Sequence, residues 1–222
     1  MFKKILIYIL ISSLIFITSG CKRDGVKYIE VKERVPYNVV EAELVHYDED
    51  ILFEDADLIF KGKVISEKEI GLKEYKYGEL RHIYYLDVFT FKVEEVYYPV
   101  DSSLKNGDII RVANASCSNN WYKGTIKMEK GKEYILLTKK SYDTKTVDFS
   151  KYFDYAVVTH WMAIISVEDD NYIFDEVFTS LKESTDEEII REDNGFKTKM
   201  YSKGKEFEKE LKDLISKKKG KE

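Results

Sequence analysis

Apolar and polar side chains alternate along much of the chain, which is the period of a β-strand with one buried face. The longest alternating stretch is 83–98, where one face carries Tyr85, Phe89, Phe91 and Val93. Further strands are predicted at 58–66, 109–113, 133–138, 155–167 and 172–178. Turn signals with glycine, asparagine and aspartate separate several of these strands. The pattern predicts a mainly β protein.

Helical signals are concentrated near the carboxyl end. Residues 206–218 place four apolar side chains along one stripe of an amphipathic helix: Phe207, Leu211, Leu214 and Ile215. The stretch Ser184-Thr185-Asp186-Glu187 resembles a capping box, and it predicts a short helix to about Glu192. Another short helix is predicted over 48–56, just before the first long strand.

Glycines predict the local geometry around that first strand. Gly62 lies inside it and indicates a bulge or bend. A charged loop that contains Gly71 and Gly78 is predicted to follow. Residues 26–31 are rich in strand-forming types, and we expect them to pair as an edge strand.

The first 21 residues have a pattern of their own. Two lysines precede an apolar run over 5–17, and Thr18-Ser19-Gly20-Cys21 follows. A membrane-spanning helix needs about 20 apolar residues, and this run is shorter and ends at a cleavage-like site. The segment resembles the signal peptide and lipobox of bacterial lipoproteins. The alternative is an ordinary secretory signal that leaves Cys21 as an unmodified thiol.

The lipoprotein resemblance implies a location and an anchor. Residues 1–20 would be removed, and Cys21 would carry a diacylglyceryl group as the first residue of the mature chain. A single acyl chain anchors a protein only marginally, whereas two chains at one residue hold it stably. The expected location is the extracytoplasmic face of the cell membrane, or the outer membrane in a cell that has two.

Charge excludes one class of partner. Removal of residues 1–20 changes the net charge from −5 to −7, because the segment carries two lysines and no acids. An acidic body lacks the basic face that nucleic-acid binding needs. Aromatic residues make up 14% of the chain, which is enough to build a core, so the chain is not a disordered one.

Four short motifs in the middle of the chain carry a second resemblance. They are Ala-Asp at 56–57, Phe-x-Val-x-x-Val at 91–96, Lys-x-Gly-Asp at 105–108 and Gly-Lys-Glu-Tyr at 131–134. Together they resemble the OB-fold of tissue inhibitors of metalloproteinases and related netrin-like modules. The resemblance implies a small, OB-like β-barrel of about five to seven strands. It does not imply the inhibitory activity, because an acylated Cys21 has no free amine to chelate a protease zinc.

These observations predict four segments and a fold class. The fold is a mainly β, OB-like barrel with a C-terminal amphipathic helix. The predicted segments are a signal peptide (1–20), a lipidated N-terminus and tether (21–50), the barrel domain (51–180) and a C-terminal helical segment with a basic tail (181–222).

No catalytic, metal or cofactor site is predicted. The three histidines, His46, His82 and His160, are far apart and lack the spacing of a zinc site. Cys117 is interpreted as a small buried residue, and the alternatives are a reactive thiol or a bond between molecules.

Two aromatic stretches form a candidate binding surface. One is the loop that contains Asn119, Asn120, Trp121 and Tyr122, and the other contains His160 and Trp161. Tryptophan and tyrosine combine large area with a polar group, which suits interfaces. The alternative is that both tryptophans pack the barrel core or seal its end, which is the favoured interpretation for Trp161, whereas the two interpretations are balanced for Trp121.

The leading functional hypothesis is a membrane-anchored, non-catalytic binding module for an envelope protein, peptide or glycan. Two alternatives stay open. One is an envelope enzyme whose site the sequence does not reveal. The other is a structural or assembly protein that docks a partner through its C-terminal helix.

Overall fold

The computed structural model describes eleven stretches of the chain. They are residues 27–31, 38–40, 47–76, 78–99, 103–114, 120–122, 128–141, 149–159, 162–182, 187–193 and 196–220. The predicted lipobox with Cys21 lies outside them, as do His46, Cys117, Asn119, His160 and Trp161.

The described residues form twelve strands and three α-helices. The strands are β1 (Lys27–Val31), β2 (Asn38–Val40), β3 (Leu58–Lys76), β4 (Glu79–Tyr98), β5 (Ile109–Asn114), β6 (Asn120–Tyr122), β7 (Glu133–Lys140), β8 (Tyr155–Val157), β9 (Ile164–Glu168), β10 (Asn171–Asp175), β11 (Glu187–Asp193) and β12 (Phe196–Lys203). The helices are α1 (Glu49–Asp55), α2 (Thr179–Lys182) and α3 (Glu206–Lys219), and a 3₁₀ turn covers Phe149–Lys151.

Five strands close a barrel. β3 pairs with β4, β4 with β5, β5 with β8 and β8 with β7, and β7 returns to β3 between Leu58↔Thr138 and Lys63↔Glu133. The β5–β8 contact is parallel, and the other four contacts are antiparallel. Closure removes the open sheet edges that these strands would otherwise expose. The predicted OB-like barrel with a C-terminal helix is therefore confirmed.

The sheet extends beyond the barrel on both sides. On one side β9, β10, β12 and β11 follow β7 in that order, and on the other side β1 pairs with β3. The sheet in the described residues thus has ten strands, of which five close the barrel. The predicted edge strand before the barrel is confirmed as β1.

Aromatic rings from different strands fill the barrel. Phe60 of β3 packs edge-on against Phe91 of β4, with ring centroids 5.6 Å apart. Phe91 packs in the same way against Tyr134 of β7 at 6.5 Å. Such edge-to-face pairs add stability beyond their buried area. Phe89, Phe91 and Val93 of the inward face predicted for 83–98 therefore belong to the core.

Gly62 allows β3 to bend where the barrel closes. The β3–β4 register shifts between Lys61 and Gly62. A Cβ atom added at Gly62 would lie 2.9 Å from the Lys92 carbonyl oxygen and 3.0 Å from the Phe60 ring. Only glycine fits this approach without a shift of the backbone, and the predicted bulge is confirmed.

The predicted loop around Gly71 is wrong. β3 continues to Lys76, and Gly71 pairs with Tyr85 of β4 on one side and Val31 of β1 on the other. The turn is confined to the residues around Gly78, which has a φ of +80°. Backbone pairing with strands on both sides outweighs the weak strand propensity of a charged sequence.

The predicted helix to about Glu192 and the predicted single strand over 155–167 are also wrong, because pairing with distant strands sets the conformation of both stretches. Glu187–Asp193 is strand β11, not the continuation of a helix, because β12 provides seven successive pairing partners from Ser202 to Phe196. The stretch predicted as one strand over 155–167 is divided, since β8 ends at Val157 and β9 begins at Ile164. Capping boxes and strand runs are local signals that tertiary pairing overrides.

The helices at 48–56 and at the carboxyl end are confirmed. α1 begins after Asp48, whose side chain accepts a hydrogen bond from the Ile51 N–H at 2.8 Å, as an N-cap residue does. α3 buries its predicted apolar stripe in the main hydrophobic core: Phe207, Leu211, Leu214 and Ile215. Phe207 stacks on Tyr172 with ring centroids 4.8 Å apart. The helix is thus part of the folded body.

Candidate functional site

A cleft of about 510 Å³ lies between the end of β4 and the C-terminal half of α3. The strand contributes two neighbouring tyrosines and an acid, and the helix contributes two lysines and an apolar residue. These six residues are Glu95, Tyr97, Tyr98, Lys212, Ile215 and Lys219. A concave surface with apolar walls and a few charged groups is the usual form of a binding site.

The lysines of the cleft lie over its tyrosine rings. The Lys212 ammonium is 5.2 Å from the centroid of the Tyr97 ring and 2.7 Å from the Glu95 carboxylate. The Lys219 ammonium is 4.7 Å from the centroid of the Tyr98 ring and donates a hydrogen bond to a backbone carbonyl of α1. Cation–π contacts at partly exposed sites contribute about 0.5–1 kcal/mol each. The cleft is therefore pre-formed rather than assembled by a ligand.

A polar network anchors the helix beside this cleft. Lys61 of β3 donates a hydrogen bond to the Glu208 carboxylate at 2.8 Å, and the Tyr172 hydroxyl donates to the same oxygen. Burial alone would raise the pKa of Glu208, but the two hydrogen bonds outweigh it and the pKa is lowered. Burial likewise opposes the charge on Lys61, yet Glu208 raises the pKa of that ammonium. The network holds α3 in register with β3 and β10.

The tyrosine at the wall of the cleft stays neutral. Burial raises the pKa of Tyr97, and the negative charges of Glu208 and Glu95 add to this effect. Burial and the Glu208 carboxylate also raise the pKa of Tyr172 to about 12. Tyr97 is a packing group and Tyr172 a hydrogen-bonding one, and neither pKa is shifted toward the range that general-base catalysis uses.

Helical periodicity explains how α3 serves two purposes. Its apolar stripe points into the core, while Glu208, Lys212 and Lys219 follow one another at spacings of four and seven along its flank. Residues four and seven apart lie on the same side of a helix. The charged flank is consequently presented to β3 and to the end of β4. No sequence pattern indicates that the two lysines and the Tyr97-Tyr98 pair form a site, because only the docking of α3 brings them together.

A second cleft, of about 500 Å³, is a structural junction. Glu49 of α1 is only 5% exposed. Its carboxylate accepts hydrogen bonds from the N–H and the hydroxyl of Ser180 at 2.8 and 2.6 Å, and it pairs with Lys218 at 3.1 Å. Buried charges are tolerated when they are paired and hydrogen-bonded in this way. The carboxylate joins the ends of α1, α2 and α3.

The binding surface predicted from aromatic residues is only partly placed. The backbone of Asn120, Trp121 and Tyr122 forms β6, which pairs in parallel with β2. Trp121 is opposite Val39 in this ladder. Asn119, His160 and Trp161 lie outside the described residues, so the surface stays a prediction.

Comparisons with known proteins assign the chain to no family. No protein-family model matches the chain, and no curated protein has a significant sequence match to it. Within the described ranges, no helix has the length and apolar character to cross a membrane. In the same part of the chain, no three histidine, cysteine or acidic residues are grouped as metal ligands would be.

Proposed function

We propose that this protein is a lipid-anchored, extracytoplasmic lipoprotein and a non-catalytic binding module. In this proposal Cys21 carries the lipid, and the cleft between β4 and α3 binds a segment of another envelope protein. The observation that carries the binding role is the pre-formed cleft itself, with its two tyrosine rings and two ammonium groups.

The chemistry of the cleft favours a protein segment as the ligand. Tyrosine is enriched at the centres of protein interfaces, where a large ring and a hydroxyl act together. Lys212 and Glu95 are both more than 40% exposed, so they resemble the polar rim of an interface. Tyr97, at 6% exposure, is the buried part of the cleft wall. A glycan is the competing ligand, because sugar rings also stack on tyrosines.

The buried stripe of α3 bears on one alternative. Docking of a partner through the C-terminal helix required an apolar stripe free to make contacts. Phe207 and Leu211 are 0% exposed and belong to the main core. The apolar stripe on which the docking hypothesis rests is therefore used for folding of this chain.

Site-specific photocrosslinking in intact cells tests the binding role. A benzophenone amino acid is placed at Ser216, which lines the cleft, and at Asp213, an exposed residue of the same helix outside the cleft lining. We expect a discrete protein adduct at 216 and none at 213. Identical adducts at both positions, or no protease-sensitive adduct at 216, would contradict the proposal. A glycosidase-sensitive adduct at 216 would assign the cleft to a glycan instead.

Metabolic labelling with a palmitate analogue tests the anchor. The wild-type chain should incorporate the label, and Cys21→Ala should not. Equal incorporation by both proteins, or by neither, would exclude acylation at this residue.

A further inference from the structure

The β3–β4 hairpin extends well beyond the barrel as a ribbon. The last pairing of β5 with this hairpin is at Asp87, whereas β4 begins at Glu79. The eight intervening steps at about 3.3 Å per residue give a projection of about 26 Å. Apart from β3 and β4, the described strand that pairs with this projection is β1.

The direction of β1 brings the N-terminal side of the chain to the tip of this ribbon. β1 is antiparallel to β3, and its first residue, Lys27, pairs with Tyr75. Tyr75 in turn pairs with Leu80 of β4. Lys27, Tyr75 and Leu80 thus form one row across three strands, next to the turn at Gly78. Since neighbouring strands are about 4.8 Å apart, Leu80 lies about 10 Å from Lys27.

The chain between the proposed anchor and this row is short. Five residues separate Cys21 from Lys27. Six steps of at most about 3.6 Å cannot span more than about 22 Å. An acylated Cys21 lies at the lipid surface, so Lys27, which is in the row beside the tip, must stay within that distance of the headgroups. The lipid anchor therefore restricts which end of the molecule faces the membrane.

The sequence of the tip is suited to a lipid interface. Residues 73–80 read Lys-Glu-Tyr-Lys-Tyr-Gly-Glu-Leu, with two tyrosines, a leucine and no net charge. Leu80 is 46% exposed, which is high for a large apolar side chain. Exposed apolar side chains insert at the headgroup–acyl boundary.

We propose that the tip of the β3–β4 ribbon rests on the lipid headgroups and that the ribbon holds the barrel away from the membrane. This inference rests on the proposed acylation of Cys21. The cleft is at the opposite end of β4, since Tyr97 and Tyr98 are its last two residues. The ribbon then acts as a spacer that turns the cleft toward the envelope space. A partner in that space has access to it.

Fluorescence quenching at two matched positions tests this orientation. Leu80 and Ile109 are both exposed apolar residues, at 46% and 55%. Ile109 pairs with Lys92, twelve residues along β4 from Leu80, which is a contour of about 40 Å. A fluorescent amino acid is introduced at one position or the other in the full chain, processed and acylated in bacterial cells. The protein is then reconstituted in phosphatidylcholine–phosphatidylglycerol vesicles with nitroxide-labelled headgroups.

We expect strong loss of fluorescence at position 80 and little at position 109. Palmitate-analogue labelling and circular dichroism of the same preparations report on acylation and folding. Equal quenching at both positions of an acylated, folded protein would overturn the orientation and leave the anchor intact. Stronger quenching at position 109 than at position 80 would likewise overturn the orientation and leave the anchor intact. Absence of the lipid label would contradict the proposed function, and with it this inference.

Discussion

Replacement of Phe207 by alanine tests whether α3 is part of the folded body or a free docking element. Phe207 is 0% exposed, and its ring packs on Tyr172 at 4.8 Å and on Phe174 at 5.0 Å. The change removes a buried ring from the point where the helix begins. It should therefore weaken the attachment of the whole helix to β10.

The expected cost follows from the burial and the ring contacts. Loss of a fully buried phenylalanine side chain costs about 2–3 kcal/mol of transfer free energy. The incompletely filled cavity and the lost ring pairs add about 1–2 kcal/mol. We expect the free energy of unfolding to fall by about 4 kcal/mol, a large part of the 5–15 kcal/mol typical of a domain.

Urea denaturation followed by circular dichroism measures this loss. Lys209→Ala is the matched control, because Lys209 is an exposed residue of the same helix. It should change the stability by less than about 0.5 kcal/mol. If Phe207→Ala also costs less than about 1 kcal/mol with an unchanged m-value, α3 is not held as described. The docking hypothesis for the helix would then regain its basis.

Two further substitutions probe the network beside the cleft and the bend in the barrel. Glu208→Gln should cost about 1–3 kcal/mol at pH 7, because two hydrogen bonds lose a charged acceptor. Folding lowers the pKa of Glu208, so the carboxylate contributes its full stabilising free energy above about pH 4.5 and loses it as the pH falls further. The free energy of unfolding should therefore depend less on pH between 5 and 3 in the variant than in the wild type. An unchanged slope would contradict the network. Gly62→Ala should cost about 1–3 kcal/mol by overpacking against a backbone carbonyl, and thermal unfolding at wild-type stability would show that β3 is not bent there.

Local sequence patterns predicted those elements whose faces differ in polarity. The alternation at 83–98 identified Phe89, Phe91 and Val93 as inward residues of β4, and the stripe from Phe207 to Ile215 identified α3. The stripe arises because one side of α3 is buried and the other is in water. In β4 the second face is also partly buried, since Leu86 and Val88 belong to a second apolar cluster. Gly62 was recognised for a related reason, since a glycine inside a strand often marks a close approach of backbone.

Local patterns failed where a distant strand decided the conformation. Glu187–Asp193 carries a helix-start signal at its amino end and becomes a strand because β12 pairs with it. Gly71 lies in a charged sequence and becomes part of β3 because β1 and β4 flank it. In both cases hydrogen bonds to neighbouring strands replace the local preference.

Residue types and their period along the chain are enough to predict the fold class, a mainly β barrel with an amphipathic C-terminal helix. A sequence displays both of these directly. Three features depend on the tertiary structure: the closure of β7 on β3, the row that links Lys27 to Leu80, and the cleft between Tyr98 and Lys219. Each of these joins residues far apart in the chain. The contact forms only because burial of α3 and pairing of the barrel strands bring those residues together.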